Sequence, residues 1–414
     1  MRNLYTSGEN FKNNILIDLG STTIKYFRFD SSGNLSDSGY FNRDYNKIIG
    51  DQAAKILYEE IGYNPDNDII KICSSANGGL KTGIIGYTDR FSTKWAKKSA
   101  LNSGANVLWS SSIDSINNNS LDSVDVLIIA GGANNSQISK QILWLQSIKD
   151  MTINYETIIF SGNKLLHSTA RKLWSNIVFS SNILGEDLCW SGEDLVKILR
   201  EAYLSDLVNK KGISNMQAFS NSPIIPTPAV VQKSFKAVLD LKTNFNFSTP
   251  LLMLDIGGAT TDLFFGSELF QDNGGLNPKP SINRYVYTEL GVFASRDALI
   301  NKLSLSNRLG DFLRALDPNL AEKKYLSLRE NDIEWITPDF LAEACFFLAL
   351  DACHDDTQEE LSLNLRQVAC ILITGGASQL CDLDRLKRIA YICGASNAKV
   401  ILDDKYQIWM EGMK

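Results

Sequence analysis

Short apolar runs alternate with segments of helical spacing along the chain. The runs "NILIDLG" and "TIKYFRF" predict two strands joined by a Gly-Ser-Thr-Thr turn, and "LSDSGYF" predicts a third strand. From Lys47 to Ile61 the apolar positions recur with the period of a helix, and the Gly and Pro of "GYNPDND" end that segment. The pattern therefore predicts a hairpin-based sheet followed by a helix.

Strands and helices continue to alternate through most of the remaining chain. Further strands are predicted at "IIKIC", "KTGIIG", "ANVLWSS", "VDVLIIAGG" and "ETIIFSG", with a helix from Arg90 to Leu101. Residues 181 to 250 are predicted to be mainly helical. A strand followed by a glycine turn and a second strand then occurs again in "LLMLDIGGATTDLFFG", and a late strand with a Gly-Gly turn occurs in "ACILITGGAS". Such alternation favours an α/β protein in which helices pack on sheets.

The second strand–turn–strand segment, at residues 251–266, predicts that the chain forms two α/β lobes. Turn-forming residues concentrate in "TNFNFSTP", which places the boundary near residues 245 to 250. We expect an N-terminal lobe over 1–248, with an inserted α/β subdomain at about 65–180, and a C-terminal lobe over 249–414.

Composition narrows the function classes. The 414 residues are 44% hydrophobic and 21% charged, as in ordinary globular proteins. A net charge of −6 argues against general nucleic-acid binding, which needs a basic surface. No apolar run approaches the roughly 18 residues of a membrane helix, and no signal region opens the chain. Seven cysteines without a CxxC pair are typical of reduced thiols, so we expect a cytoplasmic protein without membrane contact.

Two loops repeat one chemical pattern, in which an acid at the end of a strand is followed by glycine and hydroxyl residues. The first loop contains Asp18, Gly20, Ser21, Thr22, Thr23 and Lys25, and the second contains Asp255, Gly257, Gly258, Ala259, Thr260, Thr261 and Asp262. Backbone N–H groups and hydroxyls in such turns donate to phosphate oxygens, and a lysine neutralises charge. The sequence therefore predicts two phosphate-binding loops. It leaves open whether Lys25 is instead a solvated strand residue and whether Asp262 only caps a turn.

An acid beside a polyphosphate requires a cation between them. Mg²⁺ takes one or two carboxylates together with phosphate oxygens, so Asp18 and Asp255 are predicted to face each other as metal-binding and catalytic residues. A third loop has no acid, which suits close approach of its backbone to a base and sugar. That loop consists of Gly375, Gly376, Ala377 and Ser378.

These three loops together resemble the actin, sugar-kinase and heat-shock chaperone ATPase superfamily. The resemblance implies two ribonuclease H-like lobes that enclose ATP, with the first two loops on the phosphates and the third on adenosine. Other nucleotide motifs are absent: no GxxxxGK[ST] occurs, and "VDVLIIAGG" lacks the GxGxxG pattern.

Longer stretches resemble one narrower family, the MutL-type accessory proteins of adenosylcobalamin-dependent glutamate mutase. The matching stretches, in order, are "ILIDLGSTTIK", "ICSSANGGLKTGIIGYT", "VDVLIIAGGANN", "IIFSGNK", "IIPTPAVV", "LDIGGATTDL", "TELGVFASRDAL" and "ILITGGAS". The resemblance implies an ATP-dependent, chaperone-like reactivating factor that opens a cobalamin mutase so that damaged cofactor is exchanged. ATP or ADP, Mg²⁺ and the mutase subunits are the implied partners, and self-association is left open.

Three other functions remain open from the sequence. A small-molecule kinase of the same superfamily would use a carboxylate to deprotonate a substrate hydroxyl. An activator of a radical dehydratase would share the first loop, although the "CAAGTG" of such activators does not occur. A nucleotide-binding scaffold would bind ATP without turnover. No separate general base stands out, so the sequence does not decide whether ATP is hydrolysed.

Overall fold

The structure is a computed structural model. It describes residues 12–20, 23–44, 46–75, 80–116, 121–134, 136, 138–185, 189–210, 213–240, 247–270, 282–330, 332–354 and 362–413. Within these ranges no helix has both the length and the apolar character needed to cross a membrane.

The first sheet has five strands in the order β10-β4-β1-β2-β3. Its strands are β1 (Asn13–Leu19), β2 (Thr23–Phe29), β3 (Leu35–Asn42), β4 (Asp68–Ser74) and β10 (Ile225–Pro226). β1, β2 and β3 are antiparallel, as the hairpin pattern predicts, whereas β4 and β10 run parallel to β1.

A sheet in the C-terminal half repeats this topology in the order β13-β12-β11-β14-β15. Its strands are β11 (Leu251–Ile256), β12 (Thr261–Gly266), β13 (Ile282–Tyr287), β14 (Cys370–Thr374) and β15 (Lys399–Leu402). The first three strands are again antiparallel, and the last two are parallel to β11. Two sheets with the same ribonuclease H-like order confirm the predicted two-lobed, actin-like fold class.

A third sheet is entirely parallel, with the order β6-β5-β7-β8-β9. It is formed by β5 (Lys81–Gly86), β6 (Asn106–Ser112), β7 (Val124–Gly131), β8 (Tyr155–Gly162) and β9 (Ile177–Phe179). β4 precedes this unit and belongs to the first sheet. The lobe limits at 248 and 249 stay predictions, and residues 245 and 246 of the predicted boundary lie outside the described residues.

Helices cover the sheets. In the first part of the chain they are α1 (Ile49–Lys55), α2 (Lys94–Ser103), α3 (Ile138–Lys149), α4 (His167–Leu173), α5 (Glu193–Lys210), α6 (Ser214–Gln217) and α7 (Thr227–Leu239). In the second part they are α8 (Arg296–Leu305), α9 (Leu309–Leu316), α10 (Ala321–Arg329), α11 (Pro338–Asp351), α12 (Leu383–Ile392) and α13 (Gln407–Met413). The segment predicted as a helix from Arg90 to Leu101 begins as one π-helical turn, Asp89–Thr93, before α2.

The first and the C-terminal sheets share one apolar core, which we call the shared core. It contains side chains from both sheets, α7 and α13, including Leu16, Phe27, Val230, Leu251, Met253, Phe264 and Trp409. α7 and α13 pack against each other beside it. Since both sheets contribute to one core, the ends of their first strands are held close together.

We expect Trp409→Ala to lower the free energy of unfolding by about 3–5 kcal/mol, the usual cost of emptying a large aromatic site. The Trp409 ring is 2% exposed and its centroid lies 5.5 Å from that of Phe27. Trp409→Phe is the matched control, because it keeps a ring and removes an indole N–H that has no hydrogen-bond partner among the described residues. Urea denaturation measures both. Equal losses in the two variants would contradict the assigned packing.

Candidate functional site

The two predicted phosphate loops form equivalent hairpin turns. In the first, the N–H of Gly20 donates to the carbonyl of Thr23 over 2.9 Å, and in the second, the N–H of Gly257 donates to the carbonyl of Thr260 over 2.9 Å. Each turn follows a strand whose last residue but one is the predicted acid, Asp18 in β1 and Asp255 in β11. The predicted residues Ser21 and Thr22 lie outside the described residues.

Both turns open onto one cleft of about 770 Å³. Predicted residues that line it are Asp18, Gly20, Thr23, Lys25, Asp255, Gly257, Gly258, Ala259, Thr260, Asp262 and Gly376. The structure therefore brings the two phosphate loops and the third loop together. Thr261 does not join them: it is fully buried and its hydroxyl donates to the carbonyl of Leu290 over 2.7 Å. The alternation of side chains along β12 turns Thr261 away from the cleft.

Asp18 is a buried carboxylate with three donors around it. Thr227 Oγ1 donates to Oδ1 over 2.6 Å, the Cys73 thiol donates to the same oxygen over 3.4 Å, and Lys25 Nζ lies 3.3 Å from Oδ2. Thr227 is the first residue of α7, so the carboxylate also lies at the positive end of a helix. These contacts fix the orientation of the Asp18 carboxylate, and the ammonium group of Lys25 offsets its negative charge.

Lys25 is 6% exposed, so it is not a solvated strand residue. It lies opposite Asp18 in the β1–β2 register, and its Nζ is 4.7 Å from the ring centroid of Tyr406. Burial opposes its charge, but the neighbouring Asp18, Asp255 and Tyr406 outweigh burial and raise the pKa of Lys25. Lys25 is thus a fixed cation between the two predicted acids.

Asp255 has a different environment from Asp18. It is half-buried, and burial together with the charge of Asp262 raises the pKa of Asp255 to about 7, against the opposing effect of Lys25. Asp262 is its cross-strand neighbour in the β11–β12 register. The raised pKa shows that the charge of Asp255 is poorly compensated by the protein itself.

Asp262 does not cap a turn. It is buried on β12, and Arg284 of β13 donates to its Oδ1 from Nε over 2.9 Å and from Nη2 over 2.6 Å. Burial raises the pKa of Asp262, although Arg284 acts in the opposite direction. The third guanidinium nitrogen donates to the carbonyl of Leu101 on α2. Arg284 therefore connects the C-terminal sheet with α2.

The third loop begins with a glycine that no other residue can replace without displacement. Gly375 has φ = +90°, and a Cβ there would overlap Oδ1 of Asp255. Gly376 lines the cleft and also a neighbouring cavity of about 910 Å³, which includes Ala377. Ser378 is buried, and its hydroxyl donates to the carbonyl of Gly375 over 2.8 Å. Ser378 thus holds the loop in shape.

Three residues of the site were not predicted as site residues. Thr227 lies in the stretch "IIPTPAVV", and a Thr-Pro pair at a helix start is the sequence feature that could have indicated it. Arg284 and Tyr406 come from a strand and a loop that carry no chemical motif. Only the folded chain places them beside the acids.

The residues present suit Mg²⁺. In the described part of the chain, no three His, Cys, Asp or Glu side chains form a metal site by themselves. That agrees with Mg²⁺, which takes one or two protein carboxylates and completes its shell with water and phosphate oxygens. Asp255 is the better ligand of the two acids, because donors already surround both oxygens of Asp18.

Two ribonuclease H-like sheets with matched hairpin turns on one cleft define a protein of the two-lobed, actin-like class. Within that class, the chain belongs to the MutL protein family, whose sequence model matches residues 14–398. This confirms the family resemblance seen in the sequence.

One relative of known sequence agrees with the family assignment. The chain is 27% identical to "Protein MutL" of Clostridium tetanomorphum over 269 residues, a match that covers 60% of this chain and 56% of that protein. This chain thus matches little more than half the length of that relative.

Solved structures with a similar fold include nucleotide-free acetone carboxylase, with a TM-score of 0.40 and 12% identity over 97% of this chain and 69% of that chain. Another is the activator of 2-hydroxyisocaproyl-CoA dehydratase from Clostridium difficile with bound ADPNP, with a TM-score of 0.34 and 9% identity over 97% of this chain and 92% of that chain.

We expect wild-type protein to lose stability relative to Asp255→Asn as the pH rises towards 7. The pKa of Asp255 is about 7 in the folded chain, whereas an unfolded Asp has a pKa of about 3.9. Between these values only the unfolded chain ionises freely, which favours unfolding by roughly 4 kcal/mol over the whole interval and by no more above pH 7. Urea denaturation in EDTA buffer between pH 5 and 8 measures the difference. A pH-independent difference between the two proteins would refute the raised pKa, and Asp384→Asn, at an exposed position, is the control.

We expect Gly375→Ala to weaken folding and to displace Asp255. The positive φ alone costs roughly 1 kcal/mol for an alanine, and the overlap with Asp255 adds to it. Gly62→Ala is the matched control, since Gly62 has φ = +68° and no atom near the added Cβ. Thermal denaturation compares the two variants. The prediction fails if both lose the same stability.

Proposed function

We propose that this chain binds ATP with Mg²⁺ between its lobes and hydrolyses it slowly, as a reactivating factor for an adenosylcobalamin-dependent mutase of the glutamate mutase type. One observation carries the proposal: two equivalent acid-bearing hairpin turns line one cleft in a member of the MutL protein family. The family supports the biological role, and the cleft supports the chemistry.

The phosphates of ATP would lie between the two turns. Thr23 and Thr260 line the cleft beside the turns, and hydroxyls and backbone N–H groups in such turns are suitable donors to phosphate oxygens. Lys25 adds a buried positive charge between the acids. The adenosine would extend along Gly376 and Ala377 into the neighbouring cavity.

The two acids would have separate tasks. Asp255 would hold Mg²⁺, because its charge is the less compensated of the two. A bound Mg²⁺ would offset the negative charge of the phosphates and of the leaving group. Asp18, whose carboxylate is held by Thr227 and Lys25, would orient the attacking water by accepting its hydrogen bond.

Lobe movement would convert the nucleotide state into work on a partner. A nucleotide that contacts both turns binds the closed arrangement better than the open one, and this difference is what shifts a conformational equilibrium. In the reactivation proposed here, the mutase would bind one arrangement and be opened when the chain adopts the other.

We expect Asp255→Asn to weaken binding of ATP with Mg²⁺ at least tenfold, as measured by isothermal titration calorimetry. Asp384→Asn, whose carboxylate forms an exposed ion pair with Lys387, should bind as wild type does. We further expect the phosphate release of the wild type to rise when a glutamate mutase loaded with damaged cobalamin is added. Binding without stimulation by the mutase would leave ATP binding intact and remove the reactivating role, and unaltered binding by Asp255→Asn would remove the assigned site.

A further inference from the structure

A second concave site, which we call the lysine–tryptophan pocket, lies where α2 meets the C-terminal sheet. It has a volume of about 750 Å³. α2 contributes Lys94, Trp95 and Lys98, and the facing wall contributes Phe265, Phe270 and Tyr285. The pocket is thus aromatic on two sides and cationic along one helix.

The lysines concentrate positive charge on one face of α2. Lys94, Lys97 and Lys98 are spaced three and four residues apart, which places them side by side on a helix. Among the described residues, those that line the pocket include no carboxylate. The charged side chains that line the described part of the pocket are therefore all cationic.

The ammonium group of Lys98 lies between aromatic rings. Its Nζ is 5.3 Å from the ring centroid of Trp190 and 5.6 Å from that of Trp95. Burial, and then the charge of Lys94, lower the pKa of Lys98. An anion beside the ammonium groups of Lys94 and Lys98 would offset the repulsion between them and the cost of burying the charge of Lys98. Charge-assisted hydrogen bonds to Lys are among the strongest that proteins form.

We propose that the lysine–tryptophan pocket binds a small anion that carries a planar ring, such as the phosphate ester of an aromatic heterocycle. Its walls offer lysines to a phosphate and aromatic rings to a planar group, and a concave site suits a compact ligand better than a flat protein surface does. The phosphate contacts Lys94 and Lys98, and the ring packs against Trp95 and Tyr285.

This pocket is separate from the nucleotide cleft, although Arg284 lines both. The guanidinium of Arg284 is already bonded to Asp262 and to the carbonyl of Leu101. Apart from Arg284, the two sites therefore have different cationic side chains and different walls. A ligand of the pocket should not compete with ATP.

Flavin mononucleotide is a suitable probe, because its fluorescence reports stacking on tryptophan and its phosphate can be removed. We expect it to bind the nucleotide-free wild type, and riboflavin, which lacks the phosphate, to bind at least tenfold more weakly. The double variant Lys94→Gln/Lys98→Gln should lose at least tenfold in affinity for flavin mononucleotide. Lys149→Gln is the matched control, since Lys149 also lies over a tryptophan, 5.9 Å from the ring centroid of Trp174, but outside the pocket.

Four results would overturn the proposal. They are no binding of flavin mononucleotide at millimolar concentration, equal affinity for riboflavin, equal affinity in the double variant and Lys149→Gln, and a dissociation constant for the flavin that rises in proportion to the ATP concentration without saturating, as competition for one site requires. The comparison of the two flavins needs no variant, so it decides even if the double variant folds poorly. Because no step uses bound nucleotide, failure here is independent of failure to bind ATP.

Discussion

The shared core between the two equivalent sheets is the constraint on which the site depends. Along a strand, side chains two residues apart point to the same face. Leu16, Phe27, Met253 and Phe264 lie in the shared core, and two residues further towards the turns stand Asp18, Lys25, Asp255 and Asp262. The strands that pack their apolar residues together therefore carry their charged residues to the cleft. The packing that forms the shared core therefore also places the acids at the cleft.

The two turns have the same backbone hydrogen bond but differ in the charge of the residue opposite the acid. In the first sheet the residue opposite the acid is Lys25, which compensates Asp18 directly. In the C-terminal sheet the equivalent residue is Asp262, so two acids stand opposite each other and Arg284 compensates only one. Burial, and then the charge of Asp262, raise the pKa of Asp255 to about 7, whereas Asp18 and Asp255 raise the pKa of Lys25 against the effect of burial. The binding site proposed here for a cation and a polyphosphate would use this difference in charge between two otherwise repeated hairpins.

The sequence predicted those features of the fold that depend on residues close together along the chain. Strand periodicity and acid-glycine turns predicted both hairpins, because each hairpin is formed within a few residues. The side chains that come from distant segments were not predicted: Thr227 reaches Asp18 only because α7 packs beside the shared core, and Arg284 reaches Asp262 only through β13. Thr261 was assigned to phosphate because it follows Thr260, yet strand alternation turns it inwards. The register of a strand, more than its residue type, decides which hydroxyl is available.

Arg284 makes the charge near the C-terminal turn depend on where α2 lies. One side of its guanidinium neutralises Asp262, and the other donates to Leu101 at the end of α2. An arrangement in which α2 moves away from β13 removes one of these acceptors and exposes the ion pair to water, which weakens it. The charge that Asp255 meets would then change with the position of α2. If ATP binds in the cleft as proposed, these same contacts would make its affinity depend on that position.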